Sequence, residues 1–309
     1  MRAFVKTDFD AGPALADLAV PEPSEGEVRV RIHAASVNGF DLAVAAGYTK
    51  GYMEHRFPLV LGKDFAGEVD AVGTGVTEYA VGDRVFGTVT KAYLGDGSFA
   101  EYVTVPTTVG IAKLPEQVSF TYGAALGLAG AAAHAIIDGA ALQPGQTLLV
   151  AGATGGVGTQ VVQLAAAAGA RVIATAHTDA ERELVSRLGA DVVVDHQGDL
   201  ASQVRAAAPD GVDAVAHLAG DASVVDLVRE GGRFTSTLVQ SPEQVPTQTA
   251  TVVPVFANPT PEVLGRCAAS QASGETTIVI QEVFSLEQVQ AAFDTFSRGT
   301  LGKVVITTD

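Results

Sequence analysis

A chain of 309 residues, 47% of them hydrophobic, carries enough apolar side chain for a substantial core, and at this length two domains are expected rather than one. Its 19 Lys and Arg against 35 Asp and Glu leave a formal charge of −16, which provides no basic surface for a nucleic-acid backbone or an anionic membrane and argues against both as partners. The single cysteine, Cys267, excludes an intrachain disulfide and a thiolate-rich metal site.

The N-terminus, MRAFVKTDFD, places charge where a secretion signal needs an apolar core, and no apolar run approaches the roughly 20 residues that span a bilayer; a cytoplasmic location is expected. Val28, Val30 and Ile32 alternate with Arg29, Arg31 and His33 in the manner of a strand with one buried face. Further short strands are predicted at 67–72, 84–88 and 100–105, each bounded by Gly, Pro or Asp. The stretch 123–141, mainly Ala and Gly with His134 and Asp138 inside it, reads as a tightly packed helix.

From about Gly123 the pattern changes to apolar strand, glycine turn and Ala-rich helix, repeated through TLLVAG, ARVIATA, DVVVDH, VDAVAHLAG and GGRFTST. That alternation predicts a mostly parallel sheet covered by helices on both faces. A strand at 251–256 and a helix at 261–273 follow. The chain then reads strand, helix, strand in TTIVIQEVF, SLEQVQAAFDTFSRG and KVVITTD, with Ser285 and Gln288 as a capping box and Gly299 as the stop. These last residues are expected to rejoin the N-terminal lobe.

The turn between the strand at 147–151 and the helix at 159–168 is Gly152-Ala153-Thr154-Gly155-Gly156-Val157-Gly158. Its glycines let the backbone turn beneath a pyrophosphate, Gly158 lets helix and strand close up, and the helix N-terminus presents unpaired N–H groups. The spacing is Gly-x-x-Gly-x-x-Gly with an added glycine, and a tight turn alone would also use such residues. The strand before it, the helix after it and the repeated units beyond favour dinucleotide binding. Ligands of such sheets lie at the carboxyl ends of the strands, which adds 175–178, 218–220 and 237–240, with Leu218, Ala219, Leu238 and Val239 as wall residues. Where an NAD-selective domain carries an acid at the end of its second strand, this chain has Ala176, followed by His177, Thr178 and Arg182, so NADPH is the expected cofactor. Asp179 and Glu181 mix the local charge, and a reading in which Ala176 is a small packed residue that serves both cofactors stays open.

Taken in order over almost the whole chain, ASVNGFDLAVAAG, FPLVLGKDFAGEVDAVG, VGDRVFG, GSFAEYV, GATGGVG, LGAD, GGR and GKVVI resemble the zinc-independent quinone oxidoreductases of the medium-chain dehydrogenase/reductase superfamily. The resemblance implies an α/β protein: a Rossmann domain with a doubly wound parallel sheet over 123–274, and a β-rich, GroES-like catalytic domain formed by 1–122 and 275–309. It implies NADP(H) as cofactor, with Lys303 of the closing phrase among its contacts. It also places Asn38 and Asp41 at the border of the substrate cleft and a substrate-lining tyrosine at Tyr48 or Tyr52. The family's homodimer would extend the cofactor-domain sheet through the strand at 251–256, a contact that Pro254 weakens.

The zinc alcohol dehydrogenases of the same superfamily need Cys and His ligands. Here Val37-Asn38-Gly39 and Gly62-Lys63-Asp64 stand at the corresponding positions, and the four-cysteine structural loop is absent. A protonated lysine has no lone pair for a metal, so no metal site is expected. His33, His134, His177, His196 and His217 are read as structural.

Without a metal, a nicotinamide enzyme delivers hydride to an acceptor that carries its own electron sink, such as a quinone or an α,β-unsaturated carbonyl. Lys63 is placed to anchor an oxyanion or donate a proton, or else to pair with Asp41 or Asp64. Asn38 alternatively caps a turn, His55 is read as a solvated loop residue and Cys267 as packing. Two other functions stay in view: a reductase for an enoyl thioester or polyketide intermediate, to whose tail this acidic chain offers little, and an NADPH-binding protein without turnover.

Overall fold

A computed structural model describes residues 1–308, which fold into two compact units. The first comprises Met1–Leu128, Pro259–Ala272 and the chain from Ile280 onward; the second comprises Ala129–Asn258 and Ser273–Val279. Asp309, the last residue of the predicted β-rich domain, lies outside the described residues.

In the first unit the alternating segment forms the long strand Glu27–Ser36, with Val28, Val30, Ile32 and Ala34 buried. It lies within a seven-stranded sheet that runs Ile111–Lys113, Arg84–Thr88, Asp64–Val72, Glu27–Ser36, Lys303–Thr307, Ile280–Ser285, with Tyr102–Pro106 as an additional partner of Glu27–Ser36. The C-terminal strand does rejoin the N-terminal residues, with Val305 opposite Ser36 and Thr307 opposite Ala34. Its residues Lys303, Val304, Val305 and Ile306 are all buried, as expected of a strand covered on both faces. A smaller sheet pairs Ala14–Asp17 and Leu59–Val60 with Arg2–Lys6. The predicted capping box forms, Ser285 N–H donating to Gln288 Oε1 at 3.0 Å, and Gly299 closes the helix with a φ of 95°.

The second unit holds six parallel strands in the order Val192–Val194, Arg171–Thr175, Thr147–Ala151, Val212–His217, Val228–Ser236, Ala250–Pro254. Leu148 and Val150 pack on one side with Val161, Val162 and Ala165 of the helix Gly156–Ala167. Leu149 and Ile173 pack on the other with Val204 and Leu227. Both faces are dry, which is why these strands read as continuous apolar runs and not as alternating ones.

Three segments divide differently from the sequence boundaries at 122 and 274: 123–128 and 259–272 belong to the first unit, and 275–279 to the second. The helix Pro261–Ser273 was grouped with the Rossmann domain because it continues the strand and helix alternation, yet it belongs to the first unit up to Ala272, where Gly110 N–H donates to Pro259 O at 2.9 Å. The helix Phe120–Ala140 begins in the first unit, where a Cβ on Gly127 would stand 2.5 Å from Asp64 Oδ1. This helix is long and apolar enough to cross a membrane by composition, but 67% of its apolar window is buried inside the protein.

Candidate functional site

In the second unit, the strand Thr147–Ala151 runs into the glycine turn and the helix Gly156–Ala167. Gly152 has a φ of 91°, and its N–H donates to Thr175 Oγ1 at 2.9 Å, which ties the turn to the next strand. A Cβ there would press on Ala219 Cβ at 2.9 Å, so Leu218 and Ala219 lie against the turn. A Cβ on Gly158 would fall 2.1 Å from Gly152 O, which makes glycine obligatory for the helix to approach its strand. Gly155 is the N-cap and has no side chain to satisfy the first turn, so the N–H groups of Gly156, Val157 and Gly158 are left for a ligand. Ala153 and Val239 point into the two cores and shape the site through the backbone, whereas Leu238 is half exposed.

At the end of Arg171–Thr175, the Ala176 methyl is buried in the core. Thr178 caps the helix Asp179–Arg187, accepting from Glu181 N–H at 3.3 Å, while Glu181 Oε2 accepts from His177 N–H at 2.6 Å. His177 Nδ1 meets Asp195 at 3.0 Å, and Arg182 pairs with the same carboxylate at 3.4 Å. Near the next strand, His217 lies between Ser236 Oγ, 2.9 Å away, and Gly220 O, 3.2 Å away. Burial holds its pKa below the usual histidine range.

The first unit contains a buried polar cluster around Asp64, which has no exposed surface. One carboxylate oxygen accepts from Thr88 Oγ1 at 2.9 Å and Leu128 N–H at 2.8 Å. The other accepts from Ser36 Oγ and Asn38 Nδ2, both at 2.9 Å, and faces Lys303 Nζ at 3.5 Å. Lys303 also donates to Asn38 Oδ1 at 2.7 Å and Val37 O at 3.0 Å. Asn38 is the N-cap of the helix Gly39–Ala45, and its N–H donates to Asp41 Oδ2 at 2.8 Å. Asp41 is pushed up to about 7, first by burial and then by the charge of Asp64.

Two family models match the chain: "Alcohol dehydrogenase GroES-like domain" over residues 24–116 and "Zinc-binding dehydrogenase" over 156–257. A quinone oxidoreductase of Lama guanicoe is 31% identical, over 99% of this chain and 97% of its own length. The chain belongs to the quinone oxidoreductase branch of the medium-chain dehydrogenase/reductase superfamily. A 2-methylene-furan-3-one reductase of Solanum lycopersicum is 32% identical over 99% of this chain and 79% of its own. A mycobacterial structure complexed with NADPH matches all of both chains with a TM-score of 0.85 at 27% identity.

As a medium-chain dehydrogenase/reductase, the protein is an oxidoreductase that binds a nicotinamide cofactor, and the cradle at Gly152 and Gly158 fits one, since a Cβ at either position would collide with the chain packed against the turn. The expected pairing of Lys63 with Asp41 or Asp64 does not form within 4 Å among the described residues. Lys63 instead donates to Val89 O and sits 5.5 Å from the Phe40 ring centre, its pKa lowered by burial against the pull of both aspartates. Lys303, grouped with the cofactor by resemblance, directs its ammonium to Val37, Asn38 and Asp64. Tyr48 and Tyr52 stand outside this cluster, 77% and 87% exposed; Tyr48 rims a groove of about 450 Å3 with Leu42 and Phe293.

His55 is not a solvated loop residue: it lies in the two-residue strand Glu54–His55, within hydrogen-bonding distance of Thr49 Oγ1 and Met53 O and packed on Phe9. Cys267 is buried and its thiol is pushed up to about 12 by desolvation, consistent with packing. The sequence reading missed Asp64 as the centre of the cluster, and Asp195. An acid set against apolar strand residues, Phe65-Ala66-Gly67 after Asp64 and VVV before Asp195, was the available signal.

Proposed function

We propose that the protein reduces a quinone or an α,β-unsaturated carbonyl compound with NADPH, without a metal ion. The observation that carries the cofactor choice is the end of the second parallel strand, where the buried Ala176 brings no carboxylate and His177, Thr178 and Arg182 follow. The mycobacterial relative complexed with NADPH supports the cofactor, and the tomato relative, named for a ketone conjugated to a methylene group, supports the acceptor class. When bound, the reduced nicotinamide supplies hydride.

The chain's own contribution has two parts. The first-turn N–H groups of Gly156–Ala167 hold the pyrophosphate. Lys63 serves the oxygen on which charge develops: an ammonium has three N–H groups, one is spent on Val89 O, and burial makes the group a readier proton donor. Asn38 and Asp41 fix the backbone at the start of the helix Gly39–Ala45 through the capping box and Lys303.

The test is turnover of NADPH with a panel of quinones and enones, and of NADP+ with simple alcohols, each with and without a strong chelator. Reduction of quinones or enones that survives chelation is expected; alcohol oxidation abolished by the chelator would overturn the reading. Lys63→Met is expected to lower kcat about 100-fold while leaving NADPH affinity unchanged.

A further inference from the structure

The carboxylate missing at position 176 arrives from the neighbouring strand. Val192–Val194 runs parallel to Arg171–Thr175 with Val194 opposite Thr175, and Ala176 N–H donates to Val194 O at 2.9 Å. Asp195, the next residue, therefore emerges beside Ala176 and His177. Its two oxygens lie 3.0 and 3.1 Å from His177 Nδ1, and it pairs with Arg182 Nη2 at 3.4 Å. Arg182 is further tethered through Nε to His177 O at 3.2 Å.

These two basic side chains, with His196 packed 5.9 Å from His177, stand at the strand end where the cofactor reading places the adenosine ribose. Asp195 is partly exposed and stays ionised, its pKa held below the usual range first by the Gln197 N–H and then by His177. The helix start offers a phosphate little in compensation, because Glu181 already accepts from the N–H groups of His177 and Thr178.

Resting on the NADPH reading of this same strand end, we infer that Asp195 is a specificity-determining residue that restrains selection of NADPH over NADH. Its negative charge opposes a 2′-phosphate and occupies the His177 and Arg182 hydrogens that would otherwise meet it. The same carboxylate has the chemistry to accept from the ribose hydroxyls of NADH, the role an acid at position 176 plays in NAD-selective domains.

Asp195→Asn removes the charge and keeps the carbonyl oxygen that accepts from Gln197 N–H at 2.9 Å. Dissociation constants of NADPH, NADH, adenosine 2′,5′-bisphosphate and 5′-AMP should be measured by calorimetry for the wild type, Asp195→Asn and Asp195→Ser, with thermal unfolding to establish that each variant is folded. Both variants are expected to bind the two 2′-phosphorylated ligands about tenfold more tightly, to bind NADH and 5′-AMP no better, and to lose the gain as salt rises. NADPH affinity that is unchanged or weaker in the folded variants would overturn the role of Asp195. A wild type that binds NADH more tightly than NADPH would instead overturn the cofactor reading, while a variant that reverses or narrows that order would still support the role of Asp195.

Discussion

Asp41, 1% exposed, is raised from an ordinary 3.8 to about 7. Between those two values the folded chain holds a proton that the unfolded chain has released, so stability falls as pH rises through this window and levels off above it. Asp41→Asn retains an acceptor for Asn38 N–H and abolishes the titration. It is expected to flatten the slope of stability against pH between about pH 4 and 7, and to be more stable than the wild type at pH 8 by on the order of 1–3 kcal/mol. Urea unfolding at several pH values checks this; a slope that survives the substitution would mean another group causes it.

The glycine turn permits a paired test at the same scale. In Gly158→Ala the new Cβ meets backbone at 2.1 and 2.7 Å, so the helix must shift; a stability loss of about 1–3 kcal/mol and a more than tenfold loss of nicotinamide affinity are expected. In Gly155→Ala the Cβ meets only Gly152 O at 3.8 Å and φ is −72°, so the fold should be retained. Melting temperature and calorimetric affinity distinguish the two: equal destabilisation would contradict the steric argument. The turn was legible from the sequence because its glycines lie within seven consecutive residues.

At the scale of elements, the specificity of the strand end depends on which way each side chain points. The Ala176 methyl faces the core shared with Val161 and Val162 of the helix Gly156–Ala167. Ala176→Asp is therefore expected to lower both the ratio of catalytic efficiencies for NADPH over NADH and the melting temperature. Steady-state kinetics with both cofactors and a thermal melt check this, and an unchanged ratio would show that the ribose is read elsewhere. The strand Arg171–Thr175 and the helix Asp179–Arg187 that Thr178 caps were legible along the chain, because a strand followed by a capped helix is a local pattern. Asp195 escaped notice because its proximity to His177 follows from the pairing of two strands, not from spacing along one.

At the scale of the whole molecule, Ala250–Pro254 is the outermost strand of the six-stranded sheet and, among the described residues, pairs only with Val228–Ser236. We propose that two chains join along this edge into a twelve-stranded sheet, which predicts a mass in solution of twice 31.5 kDa at micromolar concentration. Pro254 offers no N–H to a partner, so the pairing would rest on residues 250–253. Light scattering decides it: a monomeric mass would refute the dimer.

The sequence alone determined the succession of strands and helices, the dinucleotide turn and the resemblance to the zinc-free enzymes, since strand alternation, glycine turns and capping boxes are all written within a few residues. Only the tertiary structure decided which lysine meets Asp64. The nearer one, Lys63, immediately precedes the strand that begins at Asp64 and goes to Val89, whereas Lys303, 239 residues away, is carried to Asp64 and Asn38 by the C-terminal strand lying against Glu27–Ser36. Pairing between distant strands is set by how the whole sheet buries its apolar faces, and a buried charge must then take whichever partner that packing brings within reach.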